Sequence, residues 1–239
     1  MSGAARGPVP ARFTADPLDA DGRAVLEQGH HAVLGVSPGN SYFNVALLTG
    51  LLGWLRGRFA RVDAVVPDSA LEYTYLALGY DAKRAAKKAR GETNVLRNRV
   101  LRAWEATGGL REGDGLHRMS DFTGEELYRQ KHTEAERALE EDPLLRDTCV
   151  RMSREVLAVH GHTGRPGTEA LDLAVRYLVA ELPFFVASAE IFGVPSSLNF
   201  YHQPLPLAEL VFSGGSVLKA PPWQGYATVR PADSDVDHP

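Results

Sequence analysis

The sequence predicts an α/β fold: a mostly parallel sheet flanked by helices. Three observations carry that expectation. The apolar run at 31–36 and the β-branched run Val62–Val66 bracket a helical pattern at 42–59, and a strand, helix, strand succession of that length calls for a parallel pair joined by a crossover. Two later strand candidates, 194–201 and 223–229, again follow helical stretches rather than tight hairpin turns. The chain of 239 residues, 44% hydrophobic and 23% charged, is long and apolar enough for one domain with a full core.

Taken in order, residues 1–25 are rich in Gly, Pro and Ala and read as a flexible arm. Residues 26–232 then form a single α/β domain, with 233–239 as a flexible tail. The run 31–36 is a buried strand. The helix at 42–59 has Asn40 or Ser41 as its expected N-cap. Pro67-Asp68 stops the second strand, and a long helical pattern fills 81–106. A short strand is expected at 117–119, followed by helices at 123–141, 143–159 and 168–188. Pro195 opens the strand ending at Tyr201, Pro204 and Pro206 precede a short helix at 207–212, and WQGYATV alternates as a last strand. Ligands in such sheets bind at the carboxyl ends of strands, and Ser37 stands at one of those ends.

Composition narrows the class. No run of 18 apolar residues occurs, so no membrane span is expected. The N-terminus lacks the apolar segment of a secretory signal, which makes the cytoplasm the expected compartment. The lone Cys149 excludes an intramolecular disulfide and a cysteine zinc cluster. With Met152 and Val156 at helical spacing it reads as a core thiol. Nothing suggests an assembly seam, so a monomer is expected.

The most informative segment is HAVLGVSPGNSYFN, residues 31–44. It puts the Ser37 hydroxyl on a turn between a strand and a helix, with small neighbours that let a substrate approach. Acyl transfer needs a nucleophile in such a place. Asn40 either orients a substrate carbonyl or caps the helix. A second signal is charge. Lys83, Arg84, Lys87, Lys88, Arg90, Arg97, Arg99 and Arg102 face only Asp81 and Glu92 between 81 and 104, and on a helix all eight fall within an arc of about 200°. The opposite arc holds Ala85, Ala89, Leu96, Val100 and Trp104. A solvated helix face usually mixes signs. The formal net charge of the chain is −4, so a one-sided basic face points to a polyanion such as an RNA backbone, held through phosphates rather than bases.

A third signal is RYLVAELP, where Tyr177 and Glu181 share a helix face just before Pro183, at which the helix is expected to kink or end. A carboxylate in an apolar stretch needs a partner; one use is to hold a substrate ammonium, and the other reading is that Glu181 points to solvent. Tyr201-His202 closes the strand VPSSLNFYH; a histidine there is a general base or a hydrogen-bonded structural group. Tyr128, in LYRQKHTEAE, reads by itself as an exposed amphipathic aromatic.

These motifs together, G-V-S-P-G-N-S-Y-F, the basic helix, Y-x-x-x-E, V-P-S-S-x-x-x-Y-H-x-P-x-P and the closing G-Y-A-T-V-R-P, resemble the cyclodipeptide synthases over residues 30 to 231. The resemblance implies a Rossmann-like sheet similar to the catalytic domain of class I aminoacyl-tRNA synthetases. It implies an enzyme that joins the amino acids of two aminoacyl-tRNAs into a 2,5-diketopiperazine. Ser37 would take the first aminoacyl group as an ester, and Tyr177 and Glu181 would hold its ammonium. A second aminoacyl-tRNA would extend it, passing to a dipeptidyl-enzyme that closes intramolecularly with Tyr201 handling the proton. The eight basic residues would grip the tRNA. Asn40, Tyr128 and His202 would be substrate-facing, His202 without a firm role. Val33, Gly35, Val65, Met119, Phe185, Leu198 and Phe200 would line a pocket for a hydrophobic first residue, and Met152, Val156, Val159 and Pro204 would border the second. The activated ester makes ATP and metal unnecessary, so no cofactor is expected.

Two rival readings follow from the residues alone. Ser37 in a nucleophile elbow with His202 would make an α/β-hydrolase-type esterase, but that fold places several strands before its nucleophile, and too little chain precedes Ser37. A non-catalytic tRNA-binding module would keep the basic face and form no acyl-enzyme.

Overall fold

A computed structural model describes residues 13–161, 164 and 166–232. Six strands form one sheet, in the order β1-β6-β5-β2-β3-β4. They are β1 (Phe13–Pro17), β2 (His31–Gly35), β3 (Arg61–Val66), β4 (Gly115–Arg118), β5 (Ser197–Tyr201) and β6 (Gln224–Pro231). All neighbours are parallel except β1 and β6. The helices are α1 (Ala20–Gln28), α2 (Val45–Arg56), α3 (Leu71–Ala77), α4 (Ala82–Ala106), α5 (Glu126–Glu141), α6 (Pro143–Val159), α7 (Thr168–Ile191) and α8 (Pro206–Phe212), with a 3-10 turn at Met119–Phe122. No helix among the described residues is long and apolar enough to cross a membrane.

The expected elements are present, with four corrections. Residues 13–25, expected in the arm, form β1 and the first turns of α1. β1 gains its order by pairing along β6, and α1 is capped at one end by the Asp19 carboxylate accepting the Gly22 N–H at 2.6 Å and closed at the other by Gly29 at φ 63. Residues 1–12 and 233–239 lie outside the described residues. The helix after β2 begins at Val45 with Asn44 as its cap, accepting the Leu47 N–H at 3.0 Å, because Asn40 is engaged elsewhere. The short stretch before Ser37 does hold one strand, so β2, which leads to Ser37, is the second in the chain and lies inside the sheet, between β5 and β3. Pro183 does not end α7. The helix runs on to Ile191, and its break is at Ala187 (φ −144, ψ 21). There the Phe184 carbonyl is taken over by the Ser188 hydroxyl and the Asn199 amide.

Alternation along the strands gives the sheet two unlike faces. Ala32, Leu34, Val62, Ala64, Val66, Leu198, Phe200, Ala227 and Val229 point to one side and bury themselves under α2 and the C-terminal half of α4, where Leu96, Val100 and Trp104 complete the core. The other face carries Val33 and Val65 beside buried polar groups: His31, Asp63, Ser197, Asn199, Gln224 and Thr228. Cys149 is a buried thiol of the core that α6 and α7 share, its pKa pushed up to about 12 by burial.

On the polar face, Asp63 ties three strands together. Its carboxylate accepts His31 Nε2–H at 2.9 Å, His117 Nε2–H at 2.9 Å and Arg61 Nε–H at 2.6 Å, while His31 Nδ1 meets the Ser197 hydroxyl at 2.8 Å. Burial pushes the Asp63 carboxyl upward, but hydrogen bonds from both histidines and the Arg61 charge outweigh it and hold the group well below the ordinary range. His31 is lowered by burial and stays neutral. Below about pH 6.5 the unfolded chain takes up a proton that folded His31 refuses, and below about pH 4 it takes up one that folded Asp63 refuses, so acid destabilises the fold in both windows. We expect Asp63→Ala to leave the arginine and histidine donors without their acceptor and to lower stability by about 3–5 kcal/mol. Urea denaturation at pH 7.5 measures this, and a wild-type value there would remove Asp63 as the tie.

Candidate active site

Ser37 lies just past the carboxyl end of β2, on the polar side of the sheet. The turn Ser37-Pro38-Gly39-Asn40 is closed by the Asn40 N–H on the Ser37 carbonyl at 3.4 Å, with Gly39 at φ 75. Proline at the second position and a positive φ at the third are what a type II turn requires. Parallel register sets Leu34 beside Phe200, so Tyr201 at the end of β5 reaches the same edge, and its hydroxyl stands 2.6 Å from Ser37 Oγ. Burial pushes the Tyr201 phenol up to about 12, against the pull of the Ser37 hydrogen bond. At neutral pH it is therefore an uncharged hydroxyl that can pass a proton.

α7 supplies the acidic wall. Tyr177 and Glu181 sit deep among protein atoms yet keep part of their surface open, as side chains lining a concavity do. The Glu181 carboxyl is raised to about 7 by burial, which the Tyr177 hydroxyl only partly offsets. Burial and the neighbouring Glu181 push the Tyr177 phenol far up. Such a pair favours a cationic guest, which would restore the carboxylate to its charged form.

Asn40 and His202 meet beside this group. Asn40 Oδ1 accepts the Tyr42 N–H at 2.9 Å, and its Nδ2 lies 3.1 Å from His202 Nε2. His202 is thereby an acceptor at Nε2. Burial lowers its pKa to about 4, and its Nδ1 is buried without a partner. It props the turn through Asn40 and makes no hydrogen bond to Ser37, unlike the base of a hydrolase triad. The free N–H groups at the start of α2 lie further along the chain than Ser37, because α2 starts only at Val45.

The structure sorts the expected apolar pocket by strand parity. Val33, Val65 and Met119 do share a cluster, and Tyr128 joins it. Gly35 lies close to the Tyr201 ring. Leu198 and Phe200 do not belong, since their register with Ala32 and Leu34 turns them to the opposite face. Phe185 packs on Tyr226 in the helical core, and Phe184, one residue earlier, joins the cluster of Val33 and Val65 with Phe122 and Phe192. Tyr128 is not exposed: it is buried, and its hydroxyl donates to the Ala180 carbonyl at 2.9 Å. Along α6, Met152 is buried, Val156 emerges and Val159 is 85% exposed, while Pro204 is exposed on the loop before α8.

On α4, Lys83, Arg84, Lys87, Lys88, Arg90 and Arg102 are exposed, whereas Arg97 and Arg99 are half-buried. None of the eight forms an ion pair among the described residues. Arg84 and Lys88 lie over the aromatic rings of Tyr80 and Tyr75. Glu92 of the same helix lies against Gly39, which brings α4 to the Ser37 turn.

With that geometry in hand, the likeness to known proteins is specific. A family model described as "Cyclodipeptide synthase" matches residues 13–231. The chain is 36% identical over 227 residues to the cyclo(L-tyrosyl-L-tyrosyl) synthase of Mycobacterium tuberculosis, covering 94% of this chain and 78% of that protein. It is 32% identical over 223 residues to the cyclo(L-leucyl-L-leucyl) synthase of Bacillus subtilis, covering 91% and 89%. A solved M. tuberculosis structure, described as demonstrating that cyclodipeptide synthetases are related to type I tRNA synthetases, superposes with a TM-score of 0.79 at 35% identity, covering 95% of this chain and 99% of that one.

The Glu181 carboxyl yields a stability test. Its folded pKa of about 7 lies above the ordinary carboxyl value, so the folded protein holds the proton longer than the unfolded chain does, and this contribution to stability is lost as pH rises through 7. We expect Glu181→Gln to be more stable than wild type by about 1–3 kcal/mol at pH 8 and equally stable near pH 4.5. Thermal melts across that range check it; a gap independent of pH would mean that Glu181 ionises as freely as a surface acid.

Proposed function

The chain belongs to the cyclodipeptide synthase family, enzymes that form cyclic dipeptides, and we propose that it joins the amino acids of two aminoacyl-tRNAs through an ester on Ser37. The observation that carries this reading is the hydrogen-bonded pair of Ser37 and Tyr201, with Glu181 close enough to act on the Tyr201 phenol, together with a helix, α4, that presents eight basic residues.

In the first step Ser37 Oγ attacks the carbonyl carbon of an aminoacyl ester. The bond from that carbon to the ribose oxygen breaks, and the serine proton reaches the leaving oxygen by way of the Tyr201 hydroxyl. Glu181 and Tyr177 hold the ammonium of the bound residue. The amine of a second aminoacyl-tRNA then attacks the serine ester, giving a dipeptide still esterified to the second tRNA, and Ser37 takes it back as a dipeptidyl ester as that tRNA leaves. The free amine of the first residue then attacks the ester carbonyl, which closes the six-membered ring and returns the proton to Ser37. Splitting the reaction through a covalent ester divides one hard step into easier ones. Holding both reacting ends on one side chain supplies alignment worth about 7–11 kcal/mol at best.

For the first residue we propose a hydrophobic side chain, aliphatic or aromatic, seated against Val33, Val65, Met119, Phe122 and Phe184. The Tyr128 hydroxyl in this cluster is already bound to the Ala180 carbonyl. The second residue would meet the emerging α6 face at Val156 and Val159. We propose that the protein works as a monomer.

Expression in bacteria followed by mass spectrometry of the medium tests the chemistry. Diketopiperazines are expected from the wild type and none from Ser37→Ala, and a variant that still makes them would remove the serine ester from the pathway. The basic helix has its own test. Lys87→Ala with Arg90→Ala removes two exposed cations, so the slope of log affinity for tRNA against log salt concentration should flatten by one to two units. An unchanged slope would place the RNA elsewhere.

A further inference from the structure

One base beside the nucleophile turn has no place in the chemistry above. His160 follows the last residue of α6 and is exposed. Its Nδ1 lies 2.9 Å from the Val156 carbonyl one turn back. A carbonyl oxygen only accepts, so Nδ1 carries the hydrogen and Nε2 of the neutral ring keeps its lone pair. Nε2 lies 4.0 Å from the place a Cβ would take on Gly39, two residues beyond Ser37 in the turn closed on the Ser37 carbonyl. The end of α6 therefore brings an accepting nitrogen to the nucleophile turn.

The second transfer needs such a group. An ammonium has no lone pair, so the amine of the second aminoacyl-tRNA must lose a proton before it can attack. Other groups at this end of the sheet are committed. During that step Glu181 is engaged with the ammonium of the first residue. The Tyr201 phenol is raised to about 12 and keeps its own proton. His202 is lowered to about 4, and its Nε2 faces the Asn40 amide. Asp68, just beyond β3, accepts the backbone N–H and the hydroxyl of Ser120. Glu92 of α4 comes within 3.2 Å of the same Gly39 position, but its carboxylate is paired with the Tyr75 hydroxyl and its Oε2 is shut off from solvent. Glu92 is the charged group that faces His160 across the turn, and its sign favours an imidazolium. α3 and α7 meet the last turn of α6 through uncharged side chains, Ala77, Leu171 and Ala174 against Leu157.

We propose that His160 is the general base of the second transfer, its Nε2 taking a proton from the ammonium of the second aminoacyl-tRNA. This rests on the aminoacyl-tRNA reading of the Ser37 site. The freed amine attacks the carbonyl carbon of the serine ester and the C–N bond forms. The bond from that carbon to Ser37 Oγ breaks, and the surplus proton left on nitrogen returns to Ser37 by way of Tyr201. The exposed imidazolium gives its proton to water.

The test separates the two transfers. Ser37 is charged from one aminoacyl-tRNA, the RNA is removed, and a second aminoacyl-tRNA is added. The readout is the single-turnover loss of the aminoacyl mass from intact protein, corrected for loss without the second RNA. His160→Gln can still donate to the Val156 carbonyl but has no basic nitrogen. It is expected to load Ser37 at the wild-type rate and to be slower in the second transfer by about a hundredfold at pH 7. The deficit should narrow as pH rises, because the incoming amine is then already free, and added imidazole should restore part of the rate in His160→Ala. If His160→Gln folds poorly, the imidazole response of His160→Ala decides. A second transfer as fast as wild type overturns the assignment. So does a deficit that is the same at every pH and unmoved by imidazole, which would make His160 a packing residue. Equal slowing of both transfers overturns it as well, since the shape of the turn would then be at fault. If wild type never gains the first residue, the serine-ester reading fails and the base fails with it; if wild type loads and only the variants' second transfer is normal, the base alone is lost.

Discussion

The register of β2 against β5 is the constraint on which the rest depends. Parallel pairing sets Ala32 beside Leu198 and Leu34 beside Phe200, and the two-residue period of a strand then decides everything at the edge. Val33, Gly35 and the turn that follows fall on one side, as do Asn199 and Tyr201. A slip of one residue would bury Tyr201 in the apolar core and turn Phe200 toward Ser37. The 2.6 Å contact between Ser37 and Tyr201 is therefore a consequence of sheet geometry rather than of loop conformation, and the apolar core beneath α2 and α4 holds the register by the area it buries.

The two faces divide the work. The apolar face stabilises the fold by the area it buries. The other face carries buried polar side chains, among them three matched to partners: Asp63 to two histidines and an arginine, Asn199 to the Phe184 carbonyl freed by the break in α7, and Gln224 to the Ala189 N–H. That last pair of contacts has a structural meaning for the site. α7 brings Tyr177 and Glu181 to the serine, and its irregular end is anchored to β5 and β6 by side-chain amides. An amide reaching into a helix break fixes rotation about the helix axis, which a purely apolar contact would leave looser.

The sequence made the strand-helix-strand core, the serine turn and the basic helix legible because each rests on a local pattern: an apolar run, a Pro-Gly turn and a charge period. β1 and α1 were hidden because FTADP is short and polar and becomes a strand only through its neighbour β6. α3 was hidden for the same kind of reason. Its seven residues are packed between α4 and α7, and LEYTYLA carries no capping side chain. The pocket was misread at the level of parity. Leu198 and Phe200 are apolar and adjacent to Tyr201, so composition admits them, but only register assigns a face. Phe184 and Phe185 exchange roles because one residue on a helix is a turn of about 100°, and the break at Ala187 makes the helix phase hard to extend from the sequence. Tyr128 lies among charged residues that face outward, and nothing local reveals that its own side of α5 meets α7.

The pKa of Glu181 bears on how one carboxyl can serve both ends of the proposed cycle. A carboxylate fixed at its ordinary pKa would hold a substrate ammonium well but would be a poor acceptor of its proton. A carboxyl held fully neutral could not hold the ammonium at all. Burial places Glu181 at about 7, between these limits. Entry of an ammonium favours the charged form and stabilises the bound aminoacyl group. Ring closure requires that same ammonium to become a free amine, and a carboxylate whose conjugate acid has a near-neutral pKa accepts the proton without a large uphill step. Tyr201 cannot replace it in that role, since a phenol raised to about 12 stays protonated and can only relay. On this reading the burial that makes Glu181 unfavourable for the empty fold is what lets it first grip an amine and later release it as a nucleophile.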